Sequence, residues 1–110
     1  MDAVFNVPSV LVVSLMESIV EMANRERLPL ISFEQTHVQM GALATYSGGF
    51  RESGIQAAKL VSNILRGTKP ADLPIETPDR LMLAVNLATA KAIGLKIPRT
   101  VLERADRLVE

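Results

Sequence analysis

The sequence predicts an α/β fold built from parallel βαβ units, on three observations. Short apolar runs, too brief for helices, stand at Asp2–Val7, Leu30–Phe33 and Ala42–Tyr46. Stretches with apolar residues at helical spacing lie between and after them. A helix between two such strands implies a parallel, right-handed crossover, because adjacent antiparallel strands need only a tight turn.

Taken in order, Asp2–Val7 reads as a strand buried on both faces and ended by Pro8. The next helix runs to about Arg27. Its start has two readings: a capping box from Ser14 to Glu17, or a cap one turn earlier at Ser9. Leu15, Ile19, Met22 and Ala23 form its expected inner stripe. Leu28 and Pro29 stop it. Leu30–Phe33 is the second strand, and the polar stretch Glu34–Met40 leads out of it as a loop.

Gly41 to Gly67 reads as a strand at Ala42–Tyr46, a glycine turn at Ser47–Gly49, and one amphipathic helix. Ile55, Ala58, Val61, Ile64 and Leu65 mark its expected buried face. Gly67 follows Arg66, where a left-handed cap belongs. A proline-bearing connection follows, extended over Ile75–Thr77. Arg80–Val85 is another strand. Asn86 caps a short helix, Leu87–Ile93, closed by Gly94. Thr100 and Glu103 form a second capping-box signature and open a last helix toward Leu108.

Composition narrows the function. A chain of 110 residues suffices for one small core, and 48% apolar residues exclude disorder. Twelve acidic residues balance twelve basic ones, so nothing favours nucleic acid or an anionic membrane. Without cysteine there is no disulfide or thiolate site, and the compartment stays open. No apolar run is long enough to span a bilayer. No basic segment precedes the first strand, so either the protein is cytoplasmic or its true N-terminus lies outside these residues.

Four stretches carry a family resemblance: DAVFNVPSVLVVSLMESIVEMANRERLPLISFE, GALATYS, AAKLVSNILRGTKPADLPIETP and LMLAVNLATAKAIGLKIPRTVLERADRLVE. Within them LRGTKPADLPIE and NLATAKAIGLKIP are the most specific words. Together they resemble the C-terminal part of an ABC transporter solute-binding protein, in the branch that includes binders of aromatic amino acids. The resemblance implies a type I periplasmic-binding-protein fold of two α/β lobes, incomplete in this chain. It assigns residues 1–40 to the C-terminal lobe and 41–73 to the N-terminal lobe. Residues 74–110 would be a crossover strand and helices of the C-terminal lobe. It further implies a small-molecule solute such as an amino acid, an ABC permease as partner of the full-length parent, and no cofactor. A periplasmic or lipid-anchored extracellular location follows, as does the absence of a signal peptide here. Lacking the rest of its lobe, the segment is expected to form a homodimer.

Such receptors hold ligand at the C-terminal ends of strands and close around it by hinge motion. The expected ligand contacts are therefore Ser9 with Val10, Phe33 with Glu34, and Tyr46 with Ser47. Amino-acid-binding relatives often carry a Thr-Asp-Asn word after the first strand, where this chain has Pro8-Ser9-Val10. An ammonium would then fall to Glu34, which otherwise reads as a solvated loop carboxylate. Tyr46 reads either as an aromatic stack on the ligand or as an edge residue. Ser47-Gly48-Gly49 reads either as an anion cradle or as a plain tight turn.

His37 has no ligating or triad company and reads as a loop residue; neither a catalytic nor a metal site is expected. The methionines read as packing, and the basic C-terminal edge, offset by Glu103, Asp106 and Glu110, as a solvated face. Two other functions are open: a ligand-sensing regulatory module of the same fold, and a phosphate-handling enzyme built on the Ser47–Gly49 turn. The latter lacks the Lys-Ser/Thr pair of a P-loop.

Overall fold

The computed structural model describes residues 1–110. Five strands and six helices follow in the order β1 (Val4–Phe5), α1 (Val10–Ser14), α2 (Met16–Arg25), β2 (Leu30–Ser32), α3 (Gln35–Met40), β3 (Ala44–Ser47), α4 (Phe50–Leu65), β4 (Met82–Asn86), α5 (Leu87–Ile93), α6 (Arg99–Arg104) and β5 (Arg107–Val109). The strands form one sheet in sequence order. β1, β2 and β3 are parallel, β3 and β4 antiparallel, β4 and β5 parallel. The α/β class and its parallel units are as the sequence predicts.

The chain divides into two compact units, residues 1–47 with 82–110, and residues 48–81. The first contains the whole sheet. β3 therefore belongs to the unit that holds β1, and the chain leaves that unit after Ser47, not near Gly41. It returns at Leu81–Met82 rather than at Leu73–Pro78. The physical reason is pairing: both neighbours of β3, β2 and β4, lie in the first unit, and Ala42 and Leu43 are buried there.

In unit 1, alternation along β2 sends successive residues to different clusters. Leu30 packs with Met16, Val20, Ala23 and Ala42. Ile31 packs against Leu43, Ala90 and Ile93. The inner stripe of α2 is thus Met16, Val20 and Ala23, one step round from the stripe expected, and Leu15 and Met22 are exposed. The shift follows from the helix start. Ser9 caps α1, its Oγ accepting from Val12 N at 3.0 Å, and the chain breaks at Leu15 before α2. The Ser14 hydroxyl instead donates to Leu11 O at 2.8 Å, so the Ser14 capping box does not form.

Three elements depart from expectation. Glu34–Met40 is not a loop: residues 35–40 form α3, closed by Gly41 at φ 116°. There a Cβ would lie 2.9 Å from Val20 Cγ1, so both the backbone angle and the close approach call for glycine. At the C-terminus α6 ends at Arg104, and Arg107–Val109 pairs with β4 as a strand. Asp106 anchors it, donating N–H to Leu83 O and accepting from Leu83 N, both at 2.8 Å. The Thr100 capping box is also absent; Glu103 takes Arg99 Nε at 2.7 Å in an exposed pair that contributes little.

Unit 2 is α4 with an extended strap. The helix ends as its sequence foretells: Gly67 N donates to Ile64 O and Thr68 N to Asn63 O, both at 3.0 Å, the paired bonds of a Schellman cap. Gln56 ties the strap, donating to Glu76 Oε2 at 2.7 Å and Thr77 O at 2.9 Å. Gly48 meets Pro78 so closely that a Cβ would lie 2.6 Å from the ring. The expected buried face of α4 is not buried. Ile55, Val61, Ile64 and Leu65 are all exposed, Leu65 to 82%, because the strap lies along the Gln56 and Leu60 side and reaches only Ile55 of the expected face, through Asp79 and Arg80.

Two substitutions separate these environments. Leu30→Ala should cost about 2–5 kcal/mol in urea unfolding, and Val61→Lys, at a concentration where the chain is monomeric, no more than about 0.5 kcal/mol. Equal losses would mean that the α4 face is packed.

Candidate functional site

Because β1, β2 and β3 run parallel, their C-terminal ends open at one end of the sheet. Asn6 continues β1, its N–H donating to Ile31 O at 3.2 Å. Ser32 closes β2 and pairs in register with Thr45 of β3. Asn6, Ser32 and Thr45 thus form a polar row across three strands, every member buried and Thr45 completely so.

The expected contacts fall at this end. Ser9 follows β1 as the α1 cap and is exposed. Phe33 and Glu34 link β2 to α3 and are half-buried. Ser47 ends β3 on the side of Thr45, whereas Tyr46, 61% exposed, points to the other side with Ala44. The structure therefore gathers Ser9, Phe33, Glu34 and Ser47 at one end and sets Tyr46 across the sheet from Ser47.

His37 is the residue that sequence reasoning placed least well. It is not on a loop but on α3, only 5% exposed. Its Nδ1 lies 2.6 Å from Ser32 Oγ, and its ring meets Phe33 edge-on at 5.0 Å. Burial strips water from the ring and pushes its pKa below 6.5, while the Glu34 carboxylate pulls it back up.

Four buried oxygens at this end lack a hydrogen-bond partner within the chain: Asn6 Oδ1, Glu34 Oε2, Thr45 Oγ1 and Ser47 Oγ. Asn6 spends its amide N–H on Met16 Sδ at 3.3 Å, a weak acceptor. Buried polar atoms are normally paired, so a concentration of unpaired oxygens marks a place suited to a donor from outside the chain. Asn6 and Thr45 were missed as site residues. The available signal was a polar residue inside an otherwise apolar strand, in DAVFNV, LISF and ALATYS alike.

The opposite end of the sheet is braced, because β4 runs antiparallel to β3 and brings Asn86 beside Leu43, its N–H donating to Leu43 O at 2.8 Å. Asn86 Oδ1 caps α5 by accepting from Thr89 N at 2.9 Å, and its Nδ2 donates to Val38 O at 2.8 Å. Thr89 Oγ1 and Asn24 Nδ2 donate to Gly41 O at 3.0 and 3.2 Å. These bonds tie the C-terminal end of α3 to α2, β4 and α5.

An acceptor-rich polar end where three parallel strands terminate has the build of a small-molecule receptor. Comparison with known proteins defines the class: the family model for ABC transporter substrate binding proteins matches residues 1–109, and the chain belongs to that family. A tyrosine-binding protein of Clostridioides difficile strain R20291 is 31% identical over 86 residues, 78% of this chain and 25% of that protein. Among solved structures, a conserved domain protein from Vibrio cholerae is 28% identical with a TM-score of 0.87, over 97% of this chain and 36% of that one. The ligand-free, open structure of a Clostridium difficile substrate binding protein with adhesive properties is 27% identical, with a TM-score of 0.67 over 96% and 35%. An ABC domain from Streptococcus pneumoniae in complex with L-Trp has a TM-score of 0.87 over 99% and 38%; at 24% identity it supports the fold alone. The chain spans about a quarter of the curated relative's length. The resemblance read from the sequence, and the fold class it implied, are thus shown.

The His37 environment yields a pH prediction. A histidine whose folded pKa is depressed binds its proton more readily when unfolded. Its neutral form is matched to the fold above pH 6.5, and stability is lost as pH falls from there through the folded pKa. Urea unfolding at about pH 8 and about pH 5 should show a larger loss for the wild-type chain than for His37→Gln. Identical losses would place the pH dependence on other groups.

Proposed function

We propose that this chain is part of the solute-binding component of an ABC-type import system, and that the solute is an amino acid with an aromatic side chain. The observation that carries the reading is the set of unpaired oxygens at the strand ends, Glu34 Oε2 among them. An ammonium group brings three donors and a positive charge, which suits acceptors beside a carboxylate. Glu34 takes the ammonium, with Ser47 Oγ as a second acceptor. Ser9 Oγ already accepts from Val12 N and keeps its own proton to donate to the ligand carboxylate. Phe33 supplies aromatic surface, while Tyr46, across the sheet from Ser47, stands outside this set. The similar Clostridioides difficile protein is a tyrosine-binding protein, which agrees with this solute class. Binding and closure are the whole event, without covalent chemistry.

In the full-length protein, unit 1 corresponds to the C-terminal lobe and unit 2 to the N-terminal lobe, with an ABC permease as partner outside the membrane. For this chain by itself, the exposed apolar face of α4 supports self-association as a homodimer.

Two measurements test these statements. Calorimetric titration of the 110-residue chain with L-tyrosine, L-tryptophan and L-phenylalanine should give saturable binding, weakened about 10- to 100-fold by Glu34→Gln, the loss of one charge-assisted bond. Binding indifferent to that change would remove Glu34 from the site, and no binding would overturn the solute class. Sedimentation at micromolar concentration should show a dimer that Val61→Lys with Leu65→Lys converts to monomer; a wild-type monomer would remove the self-association.

A further inference from the structure

The aromatic side chain of the proposed site is held by other residues. Phe33 follows β2 in the link to α3 and is half-buried. Its ring meets that of His37 edge-on, with centroids 5.0 Å apart and planes at 89°. The imidazole is fixed in its turn, since His37 Nδ1 and Ser32 Oγ share a hydrogen bond of 2.6 Å. Ser32 lies inside the sheet, in register with Thr45 of β3. His37 is 5% exposed and Ser32 2%, so neither side chain is open to a solute. The backbone of His37 is secured separately, its N–H donating to Glu34 O at 3.1 Å and its carbonyl accepting from Ala42 N at 2.9 Å. A change of the His37 side chain leaves those two bonds in place and acts on Ser32 and Phe33.

We propose that His37 is a positioning residue: anchored by Ser32, its ring holds the Phe33 ring in the orientation that receives an aromatic solute. The inference rests on the solute reading above and adds how its aromatic contact is kept ready. A phenylalanine in a link between elements has several staggered rotamers open to it. An edge-to-face partner selects among them, because the positive edge of one ring is drawn to the negative face of the other. The hydrogen bond to Ser32 fixes the rotation of the imidazole and so the plane that Phe33 meets. A ring ordered before binding spares the solute the entropy of ordering it. Imidazole suits both tasks at once: a glutamine would keep a partner for Ser32 without the ring, and a phenyl would keep the ring without the partner.

Calorimetry on the 110-residue chain with L-tyrosine and L-tryptophan tests this through a double-mutant cycle. His37→Gln should weaken binding about three- to tenfold in the wild-type background. In the Phe33→Leu background the same change should alter affinity by less than about twofold, because its effect passes through the missing ring. Nuclear Overhauser contacts between the His37 and Phe33 rings should be present in the ligand-free chain and weaken in Ser32→Ala, together with affinity. An equal loss in both backgrounds, or a loss in neither, overturns the positioning role and leaves the solute reading intact. Ring contacts unchanged by Ser32→Ala overturn the anchoring. Absence of binding by either amino acid overturns the solute reading and the positioning role with it. If His37→Gln does not fold, or Phe33→Leu binds too weakly for the cycle, the ring contacts and affinity of Ser32→Ala decide: both fall together, or the proposal fails.

Discussion

Everything at the candidate site depends on the parallel register of β1, β2 and β3. Parallel strands must all begin at one end of the sheet, so the links that follow them emerge together at the other. This geometry brings Asn6, Ser32 and Thr45 into one row although they are far apart in sequence. Its second consequence is electrostatic. A row of polar side chains buried in a sheet needs partners, and the chain supplies them unevenly: Ser32 finds His37, while oxygens of Asn6 and Thr45 find none.

The two units resolve the competition between burial and exposure differently. Unit 1 has a sheet with helices against it, and its apolar residues divide into two buried clusters. It still leaves an apolar groove of about 420 Å³ beside β1, between Val4, Ile19, Met22 and Leu28. Unit 2 has one helix and a strap, and such a pair covers a single helix face. Its other face keeps the amphipathic pattern of a core helix without a core. That contrast accords with a chain spanning a quarter to two-fifths of the length of its relatives.

His37 shows how burial changes the meaning of a residue. A histidine in a polar heptapeptide reads as solvated, since polar neighbours in sequence suggest water as neighbour in space. Folding the heptapeptide into a short helix turns the imidazole inward instead, against Ser32 and Phe33. Once there, it exchanges hydration for one hydrogen bond to Ser32 and an edge-on contact with Phe33.

The sequence by itself determined what neighbours along the chain decide. Asn86 and Gly94 bracket α5 because a cap side chain and a left-handed glycine act within one turn. Gly67 ends α4 for the same reason, and Ser9 offered the right start for α1 beside the wrong one at Ser14. The α/β class and the order of the first four strands followed from the alternation of apolar runs, with each strand end displaced by one or two residues. Only tertiary structure decided whether an apolar stripe is covered, as at Ile55 through Leu65, because amphipathicity names the face and not its partner. It alone made a strand of Arg107–Val109, whose hydrogen bonds come from β4, and seated Ala44–Ser47 in the sheet of the first unit. Where pairing lies across distant segments, the chain's local pattern carries no record of it.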